Sequence, residues 1–336
     1  MTEFSKFEGP VLVAGAGGFI GGHVVAELLR RGVSEVRAVD LKPLGSWYQK
    51  HDDAECLELD LREENACLRA TDGIHTVFNL AADMGGMGYI ETHRIDCMRS
   101  VLINTHLLAA SARHNIVRYF FSSSACVYNG ALQNKPVVSG LREEDAYPAL
   151  PEDGYGWEKL FSERMCRHYH EELGLSVRVA RFHNVYGPHG TWAGGREKAP
   201  AAICRKVAYV KLGLTDHIEI WGDGQQGRSY MYIDDCVDGT LRLLGSAYSE
   251  PINIGSSRLV SVDQLVDIVE SIAGVRTSRR YNLDAPQGVR GRTSDNARAL
   301  AVLNWEPVTA LEGGLEKTYR WIYDRIHAGE VAEIAN

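Results

Sequence analysis

Short apolar runs alternate with amphipathic stretches through the first half of the chain. Val11–Ala14 is wholly apolar and ends in Gly15-Ala16-Gly17-Gly18-Phe19-Ile20-Gly21, after which residues 23–31 read as a helix stopped by Gly32. Residues 35–39 read as a second strand closing on Asp40, 54–60 as a third and 76–82 as a fourth; a long helix follows over 94–114. Arg118–Ser124 is the fifth strand, a helix carrying Tyr155 and Lys159 closes at Leu173-Gly174, and Ser176–Phe182 is the sixth. Strand and helix alternating in this way predict an α/β fold, a Rossmann-like doubly wound parallel sheet with ligands at the carboxyl ends of its strands. Residues 83–89, 122–126 and 183–190 fall at such ends.

Beyond Phe182 the pattern is less regular. Residues 218–221, 229–233 and 251–254 read as short strands, and 235–244, 261–273 and 310–326 as helices. The Gly- and Pro-containing stretches 187–195 and 285–291 suit the walls of a smaller substrate-binding lobe. The expected division is a dinucleotide-binding domain over 1–182, rejoined by 229–255, and a second lobe from 183–228 and 256–336.

The glycine turn has a chemical reading. Glycines let the backbone turn tightly and approach a pyrophosphate, whose charge sits at a helix N-terminus. Gly15, Gly18, Phe19, Ile20 and Gly21 are therefore candidate cofactor residues. Asp40, about 20 residues further on, is placed to bond ribose hydroxyls, which favours NAD over NADP; Lys42 is the one nearby residue that could tolerate a 2′-phosphate. Asp60 and Leu61 end strand three where an adenine could lie, and Ala81 ends strand four.

Tyr155-Gly156-Trp157-Glu158-Lys159 adds a second signal. Tyr and Lys four apart share one helix face, about one turn from each other. A free phenol has a pKa of roughly 10, and a fixed ammonium nearby favours the phenolate for acid–base work. A solvated helix face would carry the same pair; the dinucleotide site upstream turns the reading towards chemistry.

Composition narrows the partners. A chain of 336 residues with a net charge of -8 and no dense Lys/Arg run is no nucleic-acid binder, although a few arginines could still hold an anionic ligand. No apolar run approaches the roughly 18 to 20 residues of a membrane span, and residues 1–10 lack the pattern of a secretory leader. Seven scattered cysteines without a C-x-x-C suit a reducing cytoplasm, and no Cys/His cluster has metal-ligand spacing.

The glycine loop, Ser124 at the end of strand five and Y-x-x-x-K together resemble the extended short-chain dehydrogenase/reductase family, which acts largely on nucleotide sugars. Trp221-Gly222-Asp223-Gly224 with Arg228, and Tyr232-Ile233-Asp234-Asp235, are similar to that family's substrate-lobe signature. The resemblance implies that Ser124, Tyr155 and Lys159 surround the sugar C4 and the nicotinamide of NAD. Residues 81–89, Ser123-Ser124-Ala125-Cys126-Val127-Tyr128, Arg181-Phe182-His183-Asn184, 194–200, Val289-Arg290-Gly291-Arg292 and Ser294-Asp295-Asn296 resemble the branch that inverts C3 and C5 of GDP-mannose. Cys126 is the telling position, because related 4,6-dehydratases carry Asp-Glu and related 4-epimerases usually Ala-Thr where this chain has Ala125-Cys126. The resemblance implies Cys126 and Lys198 as the epimerising acid–base pair. Met84, Gly85, Ser124, Asn184, Glu197, Lys198, Lys206, Arg228, Arg290 and Arg292 are then the residues expected to hold the GDP-sugar, in a homodimer. Trp157 stands where the family more often has a smaller apolar residue, and the linker 129–142 matches poorly.

The implied chemistry is economical. A ring C–H is not acidic, but a ketone at C4 activates both C3 and C5 through an enolate. Tyr155 would take the C4 hydroxyl proton, and C4 would be reduced again after inversion. A C5-only epimerase giving GDP-L-gulose fits the same residues. A 4,6-dehydratase is disfavoured because Cys126 replaces its Glu, and a non-catalytic NAD sensor should lack one of Ser124, Tyr155 or Lys159.

Overall fold

The structure is a computed structural model that describes residues 8–330. The reading of residues 1–10 as free of a leader therefore lies mostly outside the described residues. In chain order the first half comprises β1 (Val11–Ala14), α1 (Phe19–Arg30), β2 (Val36–Asp40), β3 (Glu55–Glu58), α2 (Glu64–Thr71), β4 (Thr76–Asn79), α3 (Met87–Thr92), α4 (Arg94–Arg113), β5 (Arg118–Ser124), α5 (Tyr155–Leu173) and β6 (Ser176–Phe182). The second half comprises β7 (Val185–Tyr186), α6 (Ala199–Lys211), β8 (His217–Trp221), β9 (Gly227–Ser229), β10 (Met231–Tyr232), α7 (Ile233–Gly245), β11 (Ile252–Ile254), β12 (Leu259–Ser261), α8 (Val262–Ala273), β13 (Ser278–Asn282), β14 (Gly291–Arg292), α9 (Ala297–Leu303) and α10 (Leu311–His327).

Seven strands form one parallel sheet in the order β11-β6-β5-β4-β1-β2-β3. The order reverses at β1, which pairs with β2 on one side and β4 on the other, so a crevice opens at their carboxyl ends. Successive β1 side chains point to opposite faces. Val11 and Val13 join one apolar cluster with Val24 and Leu28 of α1, whereas Leu12 and Ala14 join another with Leu107 and Leu108 of α4. Helices cover both faces, which is why β1 is apolar at every position. The first cluster continues without a break into Val207 of α6, Val266 of α8 and Leu315 of α10.

Two boundaries depart from the sequence reading. Helix α1 starts at Phe19, inside the glycine turn, with Gly18 as its N-cap. Residues 229–233 are not one strand: β9 pairs with β12 and β14, β10 pairs with β7, and Ile233 already opens α7. Asp234 and Asp235 in the first turn of α7 suit the positive end of its dipole. Lys198 reads as a helix start in the sequence, and the structure gives that helix its extent, α6 from Ala199 to Lys211 with Pro200 in its first turn.

Candidate active site

The crevice between β1 and β4 is shaped by glycines that admit no side chain. Gly15 has φ +83, and a Cβ there would stand 2.8 Å from the Ala81 amide nitrogen at the end of β4. A Cβ on Gly21 would stand 2.1 Å from the Gly15 carbonyl oxygen. The turn thus lies flat between β4 and α1, with Gly18, Phe19 and Ile20 at the helix N-terminus. Asp40 ends β2 and accepts the Lys42 amide at 2.9 Å, while Lys42 Nζ donates to the Gly17 carbonyl at 3.3 Å. Asp60 is forked by Arg62 at 2.6–3.1 Å, and that hydrogen bonding holds its carboxyl below the usual range. Arg62 was not read from the sequence; its place two residues after Asp60 was the available signal. Leu61 is buried beside it. These residues fit a dinucleotide, the glycine cradle against the helix N-terminus being the observation that says so.

At the end of β5, Ser124 caps a single turn over Ala125–Val127 and its Oγ accepts the Cys126 amide at 3.2 Å. Tyr155 opens α5, whose Gly156 packs so closely that a Cβ would meet the Cys126 carbonyl oxygen at 2.4 Å. That contact brings Ser124, Cys126 and Tyr155 together. Lys159 lies one turn along α5 and is fully buried. Its Nζ is 3.5 Å from Glu158 Oε2 and 4.7 Å from the Phe121 ring centroid, but 5.6 Å from the Tyr155 ring centroid. The ammonium is therefore shared with a buried carboxylate. Burial pushes the Tyr155 phenol well above its ordinary range, with Cys126 and Glu158 adding to the rise and a hydrogen bond from Ser124 opposing it. The expectation that Lys159 would carry the phenol down is not met in this arrangement, because desolvation outweighs a charge already paired.

Cys126 sits against Arg292. The guanidinium Nη1 donates to Sγ at 3.4 Å, Nη2 to Glu152 Oε2 at 3.3 Å and Nε to Gln133 Oε1 at 2.6 Å. Burial, then the Glu152 charge, pushes the Cys126 thiol up to about 11, and Arg292 opposes them. Lys198 is the N-cap of α6, half-buried, and burial pushes its amine down while the neighbouring Cys126 resists. Burial thus favours the neutral thiol and the neutral amine alike, and Lys198 lies close enough to Cys126 to feel a charge on its sulfur. Glu152, Arg292 and Gln133 also line a cavity of about 500 Å³ with Met87, Tyr128 and Val289. Gln133 comes from the linker that matched poorly, and Glu152 carried no periodic or spacing signal.

The other predicted ligands divide. Arg228 is half-buried: it donates to the carbonyls of Gly227, Gln287 and Val289, and desolvation, then the neighbouring Arg292, pushes it down to about 10. It pairs in register with Arg292 across β9 and β14. Asn184, at φ +42, donates to the Ser229 carbonyl at 3.0 Å. Met84 and Gly85 lie in the loop that meets residues 195–197: Gly86 donates to the Arg196 carbonyl, and Arg196 reaches Asp83 at 2.7 Å and lies 3.8 Å over the Tyr89 ring. Three more expected ligands, like Arg228, Asn184 and Arg292, have protein partners. Glu197 holds Arg205 and the Gly195 amide, Lys206 donates to the Glu219 carbonyl at 2.6 Å, and Arg290 forks Asp223 at 2.9–3.0 Å. His183 is sealed, bonded to Asn253 Oδ1 at 2.9 Å, and burial pushes it down to about 3. Among the described residues no group of three or more His, Cys, Asp or Glu is arranged to hold a metal ion.

A doubly wound parallel sheet with a glycine cradle at its switch point, and a Ser at the end of β5 beside a buried Tyr and Lys on α5, defines an NAD-using enzyme of the dehydrogenase/reductase type. The comparisons give the family. Residues 11–255 match the model of the NAD dependent epimerase/dehydratase family. The chain is 44% identical over 322 residues to GDP-mannose 3,5-epimerase 1 of Oryza sativa subsp. japonica, covering 94% of this chain and 82% of that protein. It is 43% identical over the same length and shares to GDP-mannose 3,5-epimerase of Arabidopsis thaliana. The UDP-glucose 4-epimerase of Thermotoga maritima with UDP-glucose superposes with a TM-score of 0.84 at 27% identity, covering 94% of this chain and 99% of that one. The chain belongs to the NAD dependent epimerase/dehydratase family and is an NAD-dependent nucleotide-sugar epimerase.

Proposed function

We propose that this enzyme converts GDP-mannose to GDP-L-galactose by oxidation at C4, inversion at C3 and C5, and re-reduction at C4. The observation that carries the reading is Cys126 packed beside Tyr155 and Ser124. Two rice and thale-cress relatives that are named for this reaction support it. Bound NAD supplies the acceptor and donor of the C4 hydride. Ser124 bonds the C4 oxygen, and Tyr155 takes the hydroxyl proton at C4 and later returns it. Lys198, its amine driven down by burial, accepts a proton from the activated carbon, and the Cys126 thiol gives one on the opposite face. A second inversion in the opposite sense restores both groups. Arg228, half-buried and in register with the buried Arg292, suits the diphosphate. Residues 183–228 and 256–336 form the nucleotide-sugar lobe in this reading, and the seven free cysteines agree with a cytoplasmic setting. Incubation with GDP-mannose and NMR of the recovered sugars tests the reading. GDP-L-galactose is the expected product, GDP-L-gulose alone would restrict the enzyme to C5, and unchanged GDP-mannose would overturn the assignment.

The working unit is proposed to be a homodimer. Ile95, Met98 and Leu102 on α4 and Trp157 and Phe161 on α5 form an apolar stripe along two packed helices, with Ile95 77% and Phe161 55% exposed. Spacings of three and four place each set on one helix face, and a patch of this kind on a soluble chain marks an interface. Trp157, the family departure, then becomes a contact residue. Sedimentation should show a dimer for the wild type and a monomer for the Met98→Asp/Phe161→Asp variant. A monomeric wild type would remove this role for the stripe.

A further inference from the structure

The family-derived roles leave Glu152 without a task, although its carboxylate lies beside Cys126. Its backbone amide donates to the Cys126 carbonyl at 2.9 Å, and its side chain is largely buried and faces the same Arg292 that donates to Sγ. One guanidinium therefore divides its donors between a thiol sulfur and a carboxylate. Gln133 fixes the third donor at 2.6 Å, so Arg292 has no freedom to swing to one partner alone.

We propose that Glu152 sets the charge state of Cys126. By neutralising Arg292, it keeps that cation from drawing the sulfur into the thiolate, so Cys126 stands as a proton donor opposite Lys198. The inference rests on the reading of Cys126 as an acid–base group and adds the residue that poises it. Tyr155 on α5 is buried as a neutral phenol, and Lys198 before α6 is pushed towards the neutral amine. Arg228 on β9 is coupled to the sulfur more weakly than Arg292, to which the thiol is hydrogen-bonded. Glu152 supplies the opposing negative charge. Removing that charge while keeping the shape leaves the cation of Arg292 unbalanced against the sulfur, and an opposite charge at hydrogen-bond distance favours the ionised form. Glu152 is a positioning residue here: it acts on the substrate through Cys126. The proton it retains on the sulfur is the one delivered to the ring carbon, and the resulting thiolate accepts the Arg292 hydrogen bond that is already in place.

The test uses the NAD-loaded enzyme and follows the rate of Cys126 alkylation by iodoacetamide against pH, read on the Cys126 peptide by mass spectrometry. Glu152→Gln should lower the midpoint by about one pH unit, which makes alkylation at neutral pH about tenfold faster. Glu152→Asp keeps the charge and should stay within about twofold of the wild type. With GDP-mannose at neutral pH, Glu152→Gln should keep kcat within about threefold of the wild type, because the sulfur stays almost wholly thiol, while the alkaline fall of kcat should move down by about one pH unit with little change in KM. An alkylation profile for Glu152→Gln that matches the wild type overturns the proposal, as does Glu152→Asp behaving like Glu152→Gln. Cys126→Ala separates the two readings: if it still epimerises at the wild-type rate, the acid–base role of Cys126 fails, whereas the alkylation profile reports on Glu152 in either case.

Discussion

Tyr155→Phe should lower epimerisation of GDP-mannose by about 10²–10⁴-fold, the range over which a positioned acid–base group contributes to a rate. The loss is large because every later step depends on the ketone at C4. The variant removes one oxygen from a side chain that is 6% exposed and leaves the ring that fills the space beside Cys126. Substrate binding should persist, since the proposed ligands Arg228, Arg292 and Asn184 are untouched, so the effect should appear in kcat with KM nearly unchanged. The pH dependence has a definite sign. Burial holds the phenol protonated in the resting enzyme, and only the phenolate can take the C4 hydroxyl proton, so the phenol first releases its own proton to solvent and the rate of the first half-reaction should rise with pH. The ammonium of Lys159 is the group that could assist, once its hold on Glu158 loosens. Stopped-flow measurement of C4 oxidation, with the absorbance of the reduced cofactor as the signal, checks both statements. A Tyr155→Phe enzyme that epimerised at a rate near the wild type would show that another group handles the C4 proton.

The parts of this site that could be read from the sequence are those whose chemistry lies in local spacing. The glycine turn, Asp40 at the end of β2 and the one-turn separation of Tyr155 from Lys159 each follow from a single element, and the structure places all of them at the carboxyl edge of one sheet. What local spacing could not supply is the set of partners. Lys159 and Glu158 are neighbours in sequence, and only burial of both side chains turns them into a pair. Arg290 and Arg292 stand two residues apart in one motif and looked equivalent. In the fold, Arg290 forks the exposed Asp223, whereas Arg292 enters the interior to meet Cys126, Glu152 and Gln133. These three partners come from distant parts of the chain, which no periodicity connects. Glu197 shows the converse. Its motif suggested a substrate ligand, yet its carboxylate ties Gly195 to Arg205 and fixes the approach to α6, and with it the position of Lys198.

The strongest separation of redox from epimerisation should come from the double variant Cys126→Ala/Lys198→Met. Neither change touches Ser124, Tyr155, Lys159 or the glycine cradle, so oxidation at C4 should continue while no positioned group remains to move protons at C3 or C5. Reduced cofactor should therefore form on adding GDP-mannose, and the sugar recovered from heavy water should carry almost no deuterium at either carbon. The single variants should differ from each other. Cys126→Ala leaves Lys198, which can remove and return a proton on one face, so exchange without inversion is expected. Lys198→Met leaves Cys126 as a thiol held protonated by burial and by Glu152, a poor proton acceptor, so exchange should be much weaker there. That asymmetry distinguishes a pair with assigned directions from two interchangeable groups. Alternative bases are limited by the fold: His183 is fully buried, bonded to Asn253 and held neutral, so it has no access to the ring carbons. Normal inversion by the double variant, measured by NMR of the recovered GDP-sugars, would falsify the assignment of Cys126 and Lys198 as the epimerising pair and leave their mutual electrostatic coupling without a catalytic purpose.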